Sequence, residues 1–444
     1  MAAKGLKAVC VRGRRAIRPA HPETFTRLLA TIDQRVRDHA EYDARTLMGT
    51  TKLVHALNQA GCLATHHYQL GRFAAADQVS GEHLAEKYKL KNKGCAACNI
   101  PCSRFFAVSD GPQRGLKSEG PEFEGLAGFS SRVGIVDQAT ALKGVDLCNR
   151  LGMDVISVSE CISFVMECYE KGYLSTSDCD GLELRFGNAE ATLALIERIA
   201  RREGLGDLLA DGVRLAAERI GGAAREIAMH VKGLELFQAD PRGLKAYALG
   251  NAVASRGGDH LRSEPSFEFS EDDARGEQLY GTADAAYRLR YRGKGRVVKH
   301  YEEWSALADC LEVCKNTIVN MEVLDFAGTA ELLRAGTGAE WDAQMVQSAC
   351  ERLVNLERLF LVRQGLRRQD DRLPSRFLKE PLGPESGPSA GSVVELEAML
   401  DEYYSARSWD LQTGVPTLAK LRSLGLEDEA KALMADRVPM GDDQ

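Results

Sequence analysis

Three cysteines within eight residues, Cys95, Cys98 and Cys102 in Gly94-Cys-Ala-Ala-Cys-Asn-Ile-Pro-Cys-Ser103, constrain this chain more than any other feature. The C-x2-C-x3-C spacing gathers three thiolates around one metal centre, and the small Ala96 and Ala97 let the backbone wrap closely. A four-iron cluster is then one ligand short, so the fold must carry a distant cysteine back to this loop. Cys310 and Cys314, in Asp309-Cys-Leu-Glu-Val-Cys314, are the natural candidates. Zinc also takes four cysteines, usually as two C-x2-C pairs. Buried, unligated thiols are the third reading. Three clustered sulfurs and one remote sulfur suit iron-sulfur better than either.

Twelve cysteines in 444 residues exceed what packing needs, and a reducing cytosol makes disulfides a poor use for them. Cys10, Cys62, Cys148, Cys161, Cys168, Cys179 and Cys350 stand mostly in helical apolar settings and read as packing residues. The net charge of -7 gives no footprint for a nucleic-acid backbone, which calls for a clustered basic face. No apolar run reaches the roughly 18 residues of a membrane span, and the first residues lack an apolar leader core. A cytoplasmic protein acting on small substrates is expected.

Apolar residues recur at helical spacing through 22–32, 138–147, 155–169, 189–201, 208–219, 346–361 and 393–404. Strand-like alternation is scarce. The expected fold class is mostly α: two helical domains, 21–230 carrying the three-cysteine loop and 231–444 carrying the fourth cysteine. Residues 1–20 read differently, because Leu6-Lys-Ala-Val-Cys-Val-Arg-Gly13 has the pattern of one short strand with no hairpin partner nearby. An isolated strand leaves its backbone unpaired, so it must join a sheet made elsewhere or fray. Asp207 reads as a helix N-cap, His66 and His67 as structural, and Arg242 as a turn-fixing residue.

Several motifs together resemble the aldehyde:ferredoxin oxidoreductases over nearly the whole chain. They are the cysteine run, Gly120-Pro-Glu-Phe-Glu124, Leu147-Cys-Asn-Arg-Leu-Gly-Met-Asp154, Asp180-Gly-Leu-Glu-Leu-Arg-Phe-Gly-Asn188 and Met229-His-Val-Lys-Gly-Leu-Glu235. Asp240-Pro-Arg-Gly243, Arg256-Gly-Gly-Asp-His-Leu-Arg262, Asn355-Leu-Glu-Arg358 and Asp401-Glu-Tyr-Tyr404 follow in the family's order. The resemblance implies two helical domains behind a β-rich first domain on which a tungsten or molybdenum bis-pterin sits. Residues 4–13 look like the last strand of that domain, a remnant whose remainder is expected on a separate chain or ahead of a misplaced start.

By the same resemblance Cys95, Cys98, Cys102 and Cys314 ligate a 4Fe-4S cluster, with Cys310 a neighbour. The family holds its pterins with two D-x-x-G-L-(C/D) motifs whose carboxylates reach pterin and phosphate-linked magnesium. Here the first reads Asn149 to Asp154 and keeps Gly152; the second reads Asp309 to Cys314, with Glu312 in the glycine position. A side chain at Glu312 either crowds a backbone approach or points to solvent. Glu124 and His260 match groups near the substrate: a carboxylate to take a proton, and an imidazole titrating near neutrality to hydrogen-bond the developing oxyanion. The implied activity oxidises an aldehyde to a carboxylic acid and passes electrons through the cluster to ferredoxin, possibly in a homodimer. The alternatives are the catalytic subunit of a tungsten-dependent benzoyl-CoA reductase complex and an inactive cluster-bearing fragment.

Overall fold

In the computed structural model, residues 5–435 are described. Proline at its first position opens α1 (Pro22–Asp38), where an amide hydrogen would have no partner in any case. α2 (Tyr42–Met48) follows. β1 (Lys89–Lys93), β2 (Ser103–Ala107) and β3 (Lys117–Glu119) pair antiparallel in that order, so β1 and β3 are edges. The three-cysteine segment is the loop joining β1 to β2.

α3 (Phe123–Gly128), α4 (Gln138–Leu151), α5 (Val155–Glu170) and α6 (Ala189–Arg201) pack on one another around Phe123, Phe129, Val145, Phe164 and Leu195. α4, α5 and α6 each start on a side-chain cap: Asp137 accepts from the Thr140 amide, Asp154 from Ser157 and Asn188 from Ala191. Such a cap satisfies an amide the helix itself leaves unpaired and is worth about 1 kcal/mol. A short hairpin, β4 (His230–Val231) with β5 (Leu234–Glu235), leads to a second core. There α7 (Lys245–Val253), α10 (Ala343–Arg363) and α11 (Leu396–Arg407) pack against the central α8 (Lys294–Leu311), while α9 (Phe326–Thr337) packs on α10 and α1. Tyr301, Leu307, Met399 and Tyr404 fill this core.

A buried ion chain ties the two cores together. His67 Nε2 lies 2.7 Å from Glu160 Oε1 and His67 Nδ1 lies 2.5 Å from Glu167 Oε2. Arg132 completes Glu160, and Arg376, beside Phe377 of the second core, donates to Glu167 from Nη1 at 2.9 Å. Burial alone would lower His67, but the two carboxylates reverse this and raise it. Burial would likewise raise Glu167, yet His67 and Arg376 bring it down to about 2.

Several expectations are corrected. Leu6–Gly13 forms no strand: the segment is exposed and unpaired, because no described strand offers it an edge. Lys4, and 436–444 at the end of the second helical segment, lie outside the described residues. The single helix expected over 208–219 is two, Leu205–Leu209 and Val213–Ile220, since Gly212 between them takes φ 93°. Gly204, not Asp207, precedes the first of these, and Asp207 pairs with Arg202 at 3.2 Å. Cys10 is exposed, while Cys62, Cys148, Cys161, Cys168, Cys179 and Cys350 are buried. Among the described residues no helix is long and apolar enough to cross a membrane.

Candidate functional site

The cysteine loop is clamped by the first two helices. Asn99 donates from Nδ2 to Asp33 Oδ1 of α1 at 2.6 Å, and Tyr42 of α2 donates its hydroxyl to the Asn99 carbonyl at 3.1 Å. Arg104 donates to the Cys102 carbonyl at 2.7 Å. Cys98 and Cys102 are half-buried against Val36, Ile100, Met321 and Val323. Met321 and Val323 lie just beyond Cys314, so one small apolar core joins the loop to the remote cysteine.

Partial desolvation pushes the Cys314 thiol up, and Cys98 and Cys95 are among the groups that add to the shift. Burial raises Cys102 to about 11, with Glu122, Cys314 and Cys98 adding to it. The four thiols are therefore close enough to feel one another's charge. Cys310, four residues earlier, is raised by burial and then senses Asp309, Arg262 and Glu357 instead. Among the described residues no three His, Cys, Asp or Glu side chains stand close enough to hold a metal ion as they lie. Thiols raised in this way stay protonated near neutrality, and a bound cation is what converts them to thiolates.

The two motifs compared above prove to be two helix ends. Gly152 closes α4 in the left-handed conformation, with Met153 N donating to Cys148 O at 2.9 Å. Glu312 closes α8 in the same way, with Val313 N donating to Ala308 O at 3.0 Å. Asn149 and Asp154 flank the first turn on the exposed surface, and a Cβ at Gly152 would meet open space. Asp154 uses Oδ1 to cap α5, accepting from Ser157 N at 2.8 Å. Asp309, at the second turn, pairs with Arg262 at 3.2 Å and Lys315 at 3.1 Å. A free backbone surface edged by Asn149 and Asp154 fits one wall of a large polar group arriving from the solvent side.

Glu124 and His260 come together between these turns. Glu124, on the first turn of α3, accepts from Gln238 N at 2.8 Å through Oε2, and its Oε1 lies 3.9 Å from His260 Nε2. Phe237 stacks on the imidazole with ring centres 5.0 Å apart and packs its own ring against Tyr247. Burial pushes Glu124 up to about 8, against the backbone donor at Gln238 and the charge of Arg132. Burial also pushes His260 down to about 4, so the imidazole does not titrate near neutrality as the sequence suggested. At neutral pH the pair is a protonated acid beside a neutral imidazole.

Three residues near the cysteines carry no signal in the sequence. Arg45, buried on α2, donates to Asn316 Oδ1 at 2.5 Å, and its Nε finds no hydrogen-bond partner. Glu264 accepts from Asn320 at 2.6 Å and is raised by burial. Arg262 links the segment bearing His260 to the second helix end through Asp309, and grips Glu357 at 2.6 Å.

Residues 27–426 match a family described as "Aldehyde ferredoxin oxidoreductase, domains 2 & 3". The chain belongs to this family of oxidoreductases. It is 34% identical over 433 residues to the tungsten-containing aldehyde ferredoxin oxidoreductase of Pyrococcus abyssi, spanning 96% of this chain and 68% of that one. The WOR-like subunit of the aliphatic sulfonate oxidoreductase of Pyrococcus furiosus is 27% identical over 348 residues, 75% of this chain and 50% of its own. Among solved structures, the active-site complex BamBC of benzoyl coenzyme A reductase shares the fold, with a TM-score of 0.75 at 21% identity. That match covers 99% of this chain and 70% of the other.

Proposed function

We propose that the chain oxidises an aldehyde to a carboxylic acid at a tungsten- or molybdenum-pterin centre and relays the electrons through a 4Fe-4S cluster to ferredoxin. The observation that carries this reading is the meeting of Cys314 with Cys95, Cys98 and Cys102, drawn from opposite halves of the sequence into one group. These four residues would hold the cluster, while Asn149, Gly152, Asp154 and Asp309 would line the pterin side, with Asp154 reaching a magnesium ion. When bound, the pterin metal supplies the two-electron redox step. Water supplies the added oxygen, and two electrons and two protons leave for each aldehyde consumed.

The protein's own part is proton handling and orientation. Gln238 N occupies Glu124 Oε2, which leaves Oε1 to carry the proton toward His260 and the substrate side. The neutral imidazole, held flat by Phe237, accepts a proton from water or a hydrated aldehyde. The protonated Glu124 donates a hydrogen bond to the oxygen on which charge develops. Protein prepared without oxygen should contain about four irons with matching acid-labile sulfide, bind tungsten or molybdenum, and reduce a viologen dye when an aldehyde is added. Absence of iron and sulfide, or a redox signal that persists after Cys95, Cys98 and Cys102 all become serine, would overturn it.

A further inference from the structure

The chain carries net charge -7, yet residues 87–117 hold seven basic residues against one acid, Asp110. Four of the seven, Lys87, Lys89, Lys91 and Lys93, alternate along β1 and its entry, and the strand runs through Gly94 straight into the exposed Cys95. β1 is an edge of its sheet, so the side away from β2 is open. Leu90, in the middle of the row, is 61% exposed.

The charges are placed but mostly not neutralised. Lys89 Nζ donates to the Leu47 carbonyl at 3.1 Å and to Asn92 Oδ1 at 3.0 Å, both neutral acceptors. Lys87 lies 5.1 Å from the centre of the Tyr88 ring. Lys93 is the member paired with a carboxylate, Glu119. Lysines on an edge strand also discourage unwanted strand pairing. That role, however, does not account for their running up to the most exposed thiol of the group.

We propose that the open edge of β1, with Lys87, Lys89, Lys91 and Lys93 around Leu90, is the docking surface for a small acidic electron-carrier protein. This rests on the function proposed above and names where its electrons leave. Each aldehyde yields two electrons, and a one-electron carrier must therefore bind, be reduced and depart twice per turnover. Such an exchange calls for a small, charge-steered, quickly dissolved interface: a row of lysines steers encounter, and one exposed apolar residue gives modest adhesion. Cys95, next in the chain, brings the cluster to that interface.

The test measures binding of a small acidic two-cluster ferredoxin to the full chain by calorimetry across a salt series. The parent is compared with a K89E/K91E/K93E variant and a K89R/K91R/K93R variant. Charge reversal is expected to weaken binding by about 10-fold or more, and salt to weaken the parent steeply, while the arginine variant stays within about 2-fold. Iron content equal to the parent's shows that the cysteine loop is intact in both variants. Equal affinity for the charge-reversed variant overturns the docking surface, as does a parent that prefers duplex DNA or anionic vesicles to ferredoxin. Iron and sulfide assayed on the same samples keep the two readings apart: their absence overturns the proposed function, whereas a loaded cluster with lysine-independent binding overturns only this surface.

Discussion

Gly152 and Glu312 close their helices with one and the same turn, at φ 72°, ψ 33° and φ 54°, ψ 32°, although only one of them is glycine. In each case the next amide reaches back five residues, and the helix end delivers a site residue shortly after it, Asp154 or Cys314. Glu312 points to solvent, so it crowds nothing. What it bears is the conformational cost of a side chain in the left-handed region.

That cost is measurable. Glu312→Gly should raise stability by about 1 kcal/mol and Gly152→Ala should lower it by about the same amount, since a Cβ at Gly152 meets no atom and only the backbone preference changes. Thermal melting of the two variants checks both signs. An unchanged melting temperature in both would show that the turns are not set by their own residues.

Cys310 and Cys314 should behave oppositely. Cys314→Ser removes a thiol that senses Cys95 and Cys98, and should lower the iron content or leave a three-iron cluster seen by paramagnetic resonance. Cys310→Ser removes one that faces Asp309 and Arg262, and should leave iron unchanged. Loss of iron in Cys310→Ser with retention in Cys314→Ser would reassign the fourth ligand.

Much of this fold is legible in local sequence. Ala189–Arg201 follows directly from its apolar period and the Asn188 cap, and α4 from Asp137 and Gly152 at its two ends. The break at Gly212 was missed because the apolar spacing continues across a glycine whose φ of 93° only packing reveals. Pairing explains the other misses: a strand pattern at 6–13 says nothing about whether an edge awaits it. The site divides in the same way. Cysteine spacing announces the loop, whereas Arg45 beside Asn316 and His67 between Glu160 and Glu167 are tertiary meetings. In hindsight Glu160 and Glu167, seven apart on α5, share one helix face.

The pH dependence of stability should register Glu124. Its value is raised to about 8, against an ordinary value near 4.3. A raised carboxyl favours the folded state fully below the ordinary value, and that advantage is lost as pH rises toward 8. The parent should therefore lose stability across this window, at up to about 1.4 kcal/mol per pH unit. Glu124→Gln, which cannot ionise, should remove that part of the slope while Arg132, Asp154 and Glu264 around it stay unchanged. Parallel pH profiles for parent and variant would show that Glu124 titrates normally.

Breaking the ion chain should be costly. His67→Ala leaves Glu160 and Glu167 with one arginine each in a dry interior, and should destabilise by about 3 to 5 kcal/mol. Because the chain joins the two cores, calorimetry should show the melt separating into two transitions. A single transition displaced by less than about 1 kcal/mol would mean that the arginines alone satisfy the carboxylates.

Arg45 should set the potential of the cluster. Burial works against its charge, and Glu264, Cys102 and Cys314 are the groups that favour it. Glu41 approaches only to 3.7 Å, Asn316 takes one arm, and the buried Nε has no partner. Reduction adds negative charge to a cluster, and a nearby cation favours that form. Arg45→Gln should accordingly lower the midpoint potential in a redox titration followed by paramagnetic resonance. Arg45→Lys, which keeps the charge but not the fork, should restore most of it. Iron content unchanged in both variants separates this effect from simple loss of the loop, and equal potentials in parent and Arg45→Gln would show that the guanidinium only supports Asn316.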